Sequence, residues 1–497
     1  MQYIAIKNNQ SIPSDDIPVL DYPSFFELNT SLVGNPSCHC VNYYGYRSGS
    51  KVKLICAIAD DNDHMIFVSS CMVPVNAMLA SFSEKRLCFE RFEREIHENF
   101  GIGFSGHPWL KPVRYAHNRA DRDQTMANYP FYTIESEELH EVGVGPIHAG
   151  VIEPGHFRFV CNGKQILHLE IQLGYQHRGI EQLMLTTDNR HKRAILAESI
   201  AGDTTIGHTT AFSQAWENLC GYEASADTQF SRSLALELER MAVHTGDMAA
   251  ISGDIAYQLG NSVFGRLRTP IINYMQEWGG NRLGKGFVRP AQNRFPFTPQ
   301  LAERLYGILI PYERDFHEMA DKLFTLPSAL SRLERTGTIS DQETSTMGFV
   351  GMAARTTGVP RDVRRTHPSG LFAHMEHEPI VLTAGDVHAR ADLRRREVDQ
   401  SMAYVRQWIS DLPQIEHPRP LPDLRPNQFT ISLVEGWRGE ICHCAITDHN
   451  GNLAHYKIKD PSFHNWMALA LAVRNNEISD FPICNKSFNL SYSGHDL

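Results

Sequence analysis

Five ionisable residues, Glu237, Arg240, His244, Asp247 and Asp254, recur at intervals of three, four, three and seven. If Ser233 to Asp254 is helical, that spacing puts them on one face, with Leu234, Leu238, Met241, Ala242 and Ala249 opposite. Such a stripe suits either a solvated surface or a buried chain of carboxylate, arginine and histidine that passes protons, because neighbouring charges shift pKa values into the working range. A second cluster is Gly174 to Glu181 (GYQHRGIE). It sets His177, Arg178 and Glu181 between a strand and a helix, where an anion or a proton can be held. A third, Gly145 to Arg158 (GPIHAGVIEPGHFR), places His148, Glu153 and His156 ahead of a strand. Taken alone, it reads as a set of loop hydrogen-bonders. Two triplets, Cys38-His39-Cys40 and Cys442-His443-Cys444, each offer only half a zinc site, because CxC is tighter than the usual thiolate spacing, and buried inert thiols are the favoured reading. GxxxxGK[ST], GxGxxG after a strand and GxSxG are all missing, so neither nucleotide-loop nor nucleophile-elbow chemistry has support.

These residues need elements to hold them. Lys51 to Ile58 and Met65 to Val73 read as a hairpin across Asp60-Asp61-Asn62-Asp63, and Ser83 to Asn99 as a helix stopped by Gly101. Tyr115 to Tyr132 is polar and linker-like, which sets a boundary near residue 135. Asn162-Gly163 and Asn450-Gly451 mark two further hairpins, within His156 to Gly174 and Cys442 to Asp460. Between them, 181 to 221, 226 to 260, 299 to 325 and 387 to 409 carry apolar residues at helical spacing. The 497 residues hold 42% hydrophobic and 21% charged side chains, which excludes a disordered or fibrous chain. A net charge of −10 argues against nucleic acid, whose phosphates demand Lys and Arg. No apolar run approaches the roughly 20 residues of a membrane span, and the N-terminus lacks the apolar core of a signal peptide. Ten cysteines without a single CxxC read as reduced thiols.

Together the motifs resemble a family. From residue 136 onward the chain is similar to the large subunit of nickel-iron hydrogenases of the formate hydrogenlyase and hydrogenase-4 type, and to the related forty-nine-kilodalton subunit of complex I. The resemblance rests on Gly145-Pro146-Ile147-His148, Glu153-Pro154-Gly155-His156-Phe157-Arg158, Gly174 to Glu181, and Glu237-Leu238-Glu239-Arg240 with His244. Glu435-Gly436-Trp437-Arg438-Gly439-Glu440 and Asp460-Pro461-Ser462-Phe463-His464-Asn465-Trp466 extend it. Residues 1–135 resemble the thirty-kilodalton subunit of complex I through Glu93-Arg94-Glu95, Asn99-Phe100-Gly101-Ile102 and Gly106-His107-Pro108-Trp109-Leu110.

The resemblance implies an α+β protein: an N-terminal α/β domain of the thirty-kilodalton type (1–135), then a mainly helical large-subunit-like domain with small hairpin sheets (136–497). In such hydrogenases two CxxC pairs hold nickel. Here the corresponding positions are Ala201 and Thr204, then Ser491 and Gly494, so no metal is expected on this chain. What the resemblance retains is a proton-handling set: Glu153, Arg178, Glu181, Glu237, Arg240, His244 and Arg438. His148 and His177 are candidates for an acceptor cavity that takes a quinone. The usual quinone contacts of the complex I relative are themselves replaced, by Pro154-Gly155 and near Gly202. It further implies an oxidoreductase subunit peripheral to the cytoplasmic face of the inner membrane. The expected partners are a cluster-bearing small subunit with a [4Fe-4S] centre, docked around Gly174 to Glu181 and the tail, and antiporter-like membrane subunits. The alternatives are a quinone-reducing subunit of the NADH-quinone oxidoreductase kind and a non-catalytic coupling scaffold of a membrane ion-translocating complex.

Overall fold

The structure is a computed structural model that describes residues 2–147, 152–417 and 419–497. The Asp-rich turn folds as its composition predicts. Lys51–Asp60 and Met65–Pro74 pair antiparallel, and Cys38–Ser48 and Ile4–Ile6 extend them into a sheet on which Val19–Leu20 lies parallel. The expected helix 83–99 is two pieces. Phe82–Lys85 ends where Arg86 turns extended (φ −142°), and Glu90–Phe100 follows. Its first cap is Ser81, not Ser83. Gly101 closes it at φ 70°, a conformation that costs residues with a side chain and leaves glycine unstrained.

Asn162-Gly163 and Asn450-Gly451 are hairpin turns as expected. His140–Val144 adds a third strand to the first hairpin. The second lies in a sheet ordered Leu453–Lys459, Glu440–Thr447, Gln428–Glu435 and Ser11–Pro13. The N-terminal segment therefore completes a C-terminal sheet. A shared core forms behind it, where Ile6, Ile55 and Val68 pack with Phe429, Ile431 and Leu433.

The long helical stretch 181–221 resolves into Ile180–Thr186, Arg190–Glu198 and Thr205–Cys220, with a loop at 199–204. Ala226–Asp254 runs through the middle of the helical body, against Gln258–Gly279 and Val387–Ile409. Its apolar positions, among them Leu234, Leu238 and Met241, are buried, and so are Glu237, Arg240, His244 and Asp247 on the charged stripe. Asp254 is exposed at the helix end. Burial all round means the charged face must find its partners inside the protein. Among the described residues no helix is long and apolar enough to cross a membrane.

Candidate functional site

The 199–204 loop and residues 489–494, a short link that runs into the helix Tyr492–Asp496, meet between two arginines. The exposed Arg178 spans them on one side, donating to the carbonyls of Ser199, Ile200 (3.1 Å) and Ser493 (2.8 Å). Arg438, buried on the other side, donates to both Asp203 carboxylate oxygens (2.6 Å each), to Thr204 Oγ1 (3.0 Å) and to the Asn489 carbonyl (2.5 Å). Ala201, Thr204, Ser491 and Gly494 thus share one neighbourhood. Ser491 Oγ accepts from the Gly494 N–H (2.8 Å) and Thr204 Oγ1 is engaged by Arg438, so neither hydroxyl is free. At Gly494 an added Cβ would lie 2.7 Å from Asp460 Cγ: the carboxylate occupies the space a side chain would need. Glu153, half-buried, accepts from the Ser493 N–H at 3.4 Å.

Behind this site lies a buried charge cluster. Glu397 receives Arg355 on one oxygen (2.6 Å) and His244 on the other (2.7 Å), with Arg240 at 3.4 Å. Glu237 is held by Arg240 and Arg364 (3.3 Å each) and by the Ser401 hydroxyl (2.6 Å). Asp362 faces Arg364 at 2.7 Å, Arg355 at 3.4 Å and His377 at 3.2 Å. Glu435 has one guanidinium, Arg355 at 2.7 Å, and the Val363 N–H at 3.1 Å. Burial opposes ionisation of Glu397, yet Arg355, Arg240 and His244 outweigh it and hold the carboxyl well below its usual range. Glu237 is likewise held low, by Arg240 and Arg364 against burial. Burial pushes Glu435 up to about 7, with Asp362 adding repulsion that Arg355 only partly offsets. Burial also keeps His244 below its ordinary value despite Glu397. One turn further along the same helix face, Asp247 accepts from Asn489 Nδ2 (2.7 Å) and pairs with Arg394 (2.9 Å), whose charge helps to hold His244 low.

A second buried chain starts at Asp460. Its Oδ2 lies 2.9 Å from His208 Nε2, His208 Nδ1 lies 3.1 Å from His443 Nε2, and His443 Nδ1 lies 2.8 Å from the Tyr456 hydroxyl. Burial and the neighbouring His208 hold His443 well below its usual pKa. A neutral His443 can accept from Tyr456 and donate to His208, which in turn donates to Asp460.

Residues 261–423 match the family described as the 49 Kd subunit of respiratory-chain NADH dehydrogenase. Hydrogenase-4 component G of Escherichia coli is 24% identical over 78% of this chain and 67% of its own length. The C/D subunit of NADH-quinone oxidoreductase from Bacteroides thetaiotaomicron is 26% identical over 70% of this chain and 72% of its own. The chain is a homologue of these hydrogenase-4 and complex I subunits. In fold it is similar to a chain of the membrane-bound sulfane sulfur reductase, an archaeal respiratory membrane complex, with a TM-score of 0.67 and 20% identity over 74% of this chain and all of that one. The mixed helical and sheet architecture and a C/D-type fused organisation fit these relatives.

Within this homologue of the hydrogenase-4 and complex I subunits, the expected proton-handling residues do not form one chain. Glu237, Arg240 and His244 meet in the cluster, and Arg438, Arg178 and Glu153 surround the loops. Glu181 lies elsewhere: it accepts from the Ile458 N–H (2.9 Å) and pairs with Lys457, which also holds Glu95. His177 contacts the Asp496 carbonyl (2.7 Å) and lines, with Glu181, a separate cleft of about 340 Å³. That cleft is lined by none of Ala201, Thr204, Ser491 or Gly494. His148 falls outside the described residues. The start of Ile180–Thr186, read as an anion seat, is taken by the Leu497 carbonyl, which accepts from the Arg178 and Gly179 N–H groups. The Cys-His-Cys triplets do not converge. Cys442 and Cys444 lie 3.6 Å apart under Asn42, while His39 bridges Glu440 and Asp61. Among the described residues no three His, Cys, Asp or Glu side chains could hold a metal ion. Arg355, Asp362, Arg364, Glu397 and the Asp460–His208–His443–Tyr456 chain carry no local spacing signal. The density of charge in 355–364 and 386–397 hints at the arginines and carboxylates, while of the second chain only Asp460 and His443 stand in motifs quoted from the sequence.

Proposed function

We propose that this chain is the large subunit of a membrane-bound, ion-translocating oxidoreductase complex of the hydrogenase-4, formate hydrogenlyase and complex I kind, working without nickel at the family's metal position. The reading is carried by the donor set where the 199–204 loop meets residues 489–494. Ala201 and Gly494 offer no donor, and the Thr204 and Ser491 hydroxyls are hard ligands already engaged by protein. Nickel does not fit these residues, and no step is routed through it. In this reading electrons come from a [4Fe-4S] cluster on a small subunit seated near Gly174 to Glu181, and the acceptor is a quinone or another small oxidant. Charge appearing near Arg438 and Asp203 is felt through Asn489, Asp247 and the Glu397 cluster, whose protonation and geometry pass the change to antiporter-like membrane subunits on the cytoplasmic side.

Nickel quantified in the purified intact complex tests the first half: one nickel per copy of this chain overturns it. Glu153→Gln in the same complex tests the second, because the loops lose a negative charge at Ser493 while the fold is spared. Reduced electron transfer and ion movement are expected. Unchanged rates favour the scaffold reading, which draws support from Asp460 filling the space beside Gly494.

A further inference from the structure

A cleft of about 500 Å³ opens to solvent between the N-terminal segment and the helices Thr205–Cys220 and Ala226–Asp254. Its walls include Asn9, Gln10, Thr210 and Gln214, and its inner end is made by Glu237, Arg364 and Glu435 of the buried cluster. Thr210, 2% exposed, is among the lining residues, and its hydroxyl has no hydrogen-bond partner in the protein. A buried hydroxyl left over on a polar wall calls for water.

The cluster behind this wall is one charge out of balance. It contains three guanidinium groups, Arg240, Arg355 and Arg364, against four carboxylates, Glu237, Glu397, Asp362 and Glu435. The two imidazoles beside them, His244 on Glu397 and His377 on Asp362, are lowered by burial and stay uncharged at neutral pH, so one carboxylate must hold a proton for the buried set to be neutral. Contacts choose which. Glu397, Glu237 and Asp362 each face at least two arginines, whereas Glu435 faces one.

We propose that Glu435 is a proton-binding site of this chain, loaded by water from the cleft. Every packed element is represented around it. Arg355 comes from Gly351–Arg355, Asp362 and Arg364 flank Val363, and Arg240 donates to the Glu435 carbonyl (3.0 Å). Across the strand pair stands Glu440, neutralised by Lys459 (2.7 Å) and His39 (2.8 Å). From the Val387–Ile409 helix Glu397 competes for Arg355, and Thr210 and Gln214 on Thr205–Cys220 are uncharged. Burial and Asp362 favour the protonated carboxyl, which changes state near neutral pH. The site goes beyond the proposed redox role, and its readout does not depend on electron transfer.

Infrared spectroscopy of the full chain across pH tests it. Burial also raises Glu93 to about 7 and Glu239 to about 8, so the readout is the wild-type minus Glu435→Gln difference spectrum: a carboxylic-acid carbonyl component is expected in it that fades as pH rises through neutrality and shifts in heavy water while the protein stays folded. Glu397→Gln keeps Glu435 but balances the charges, so it too should lack that component at neutral pH. A difference spectrum without the component, or the component surviving in Glu397→Gln, overturns the site. Heavy-water exchange only on global unfolding overturns the cleft as its route.

Discussion

Glu397→Gln probes the charge cluster most directly. The change keeps the shape but removes the carboxylate that faces Arg355 at 2.6 Å, His244 at 2.7 Å and Arg240 at 3.4 Å. Breaking a buried ion pair from one side costs about 3 to 5 kcal/mol, because the abandoned charge stays desolvated. Here the loss is partly recovered in a pH-dependent way. In the wild type Glu435 is raised from 4.5 to about 7. Its contribution to stability is therefore complete below about pH 4.5 and lost as pH rises through about 7, a swing of about 3 kcal/mol for that displacement. In the variant three arginines face only Glu237, Asp362 and Glu435, so Glu435 ionises early and the swing disappears. The cost of the substitution should then be about 3 to 5 kcal/mol at pH 5 and shrink to roughly 1 to 2 kcal/mol at pH 8. Urea unfolding curves at a series of pH values measure it, and Trp437, whose ring meets His244 edge-on at 6.1 Å, serves as a local reporter. A cost that does not change with pH, or one below about 1 kcal/mol throughout, refutes the charge count.

Three other substitutions report on the loops and the second chain. Gly494→Ala should destabilise the chain by about 1 to 3 kcal/mol, since its methyl meets the Asp460 carboxylate, and a neutral result in thermal unfolding would show that the space is open. His443→Phe strands the Tyr456 hydroxyl and a nitrogen of His208, at a cost of about 2 to 4 kcal/mol by denaturant unfolding; wild-type stability would mean the chain is not a satisfied network. Arg178→Ala removes four carbonyl contacts but from an exposed position, so about 1 kcal/mol of stability and faster amide exchange confined to 491–497 are expected, with unchanged exchange there counting against the staple.

The readable parts of this protein are those whose physics is local. Asn162-Gly163 and Asn450-Gly451 dictate tight turns by backbone preference alone, and the apolar repeat of 226–254 gives a helix wherever it is packed. The 83–99 segment misled because helical spacing continues across Arg86 while the backbone does not. Spacing placed Glu237, Arg240, His244 and Asp247 on one face but could not tell solvent from interior, since that depends on helix Val387–Ile409 bringing Glu397 alongside. Asp254 obeys the same period and ends in solvent. The partition of Glu181 from Glu237 was likewise invisible, because Lys457 and Arg355, which claim the two regions, lie far away in the chain.

The pairing of Ser11–Pro13 with Gln428–Glu435 bears on how the chain is made. Ser11 meets Gln428, which leaves the ribosome 417 residues later. Until then Ser11–Pro13 has an unpaired edge and Ile6 and Ile12 lack half of their core. A growing chain must keep that edge from pairing elsewhere for tens of seconds, at typical synthesis rates of about 5 to 20 residues per second. The strand that carries Glu435 is sealed only after Gln428 and its neighbours have emerged, so a nascent chain interrupted before residue 428 has neither the sheet nor the inner wall of the cleft.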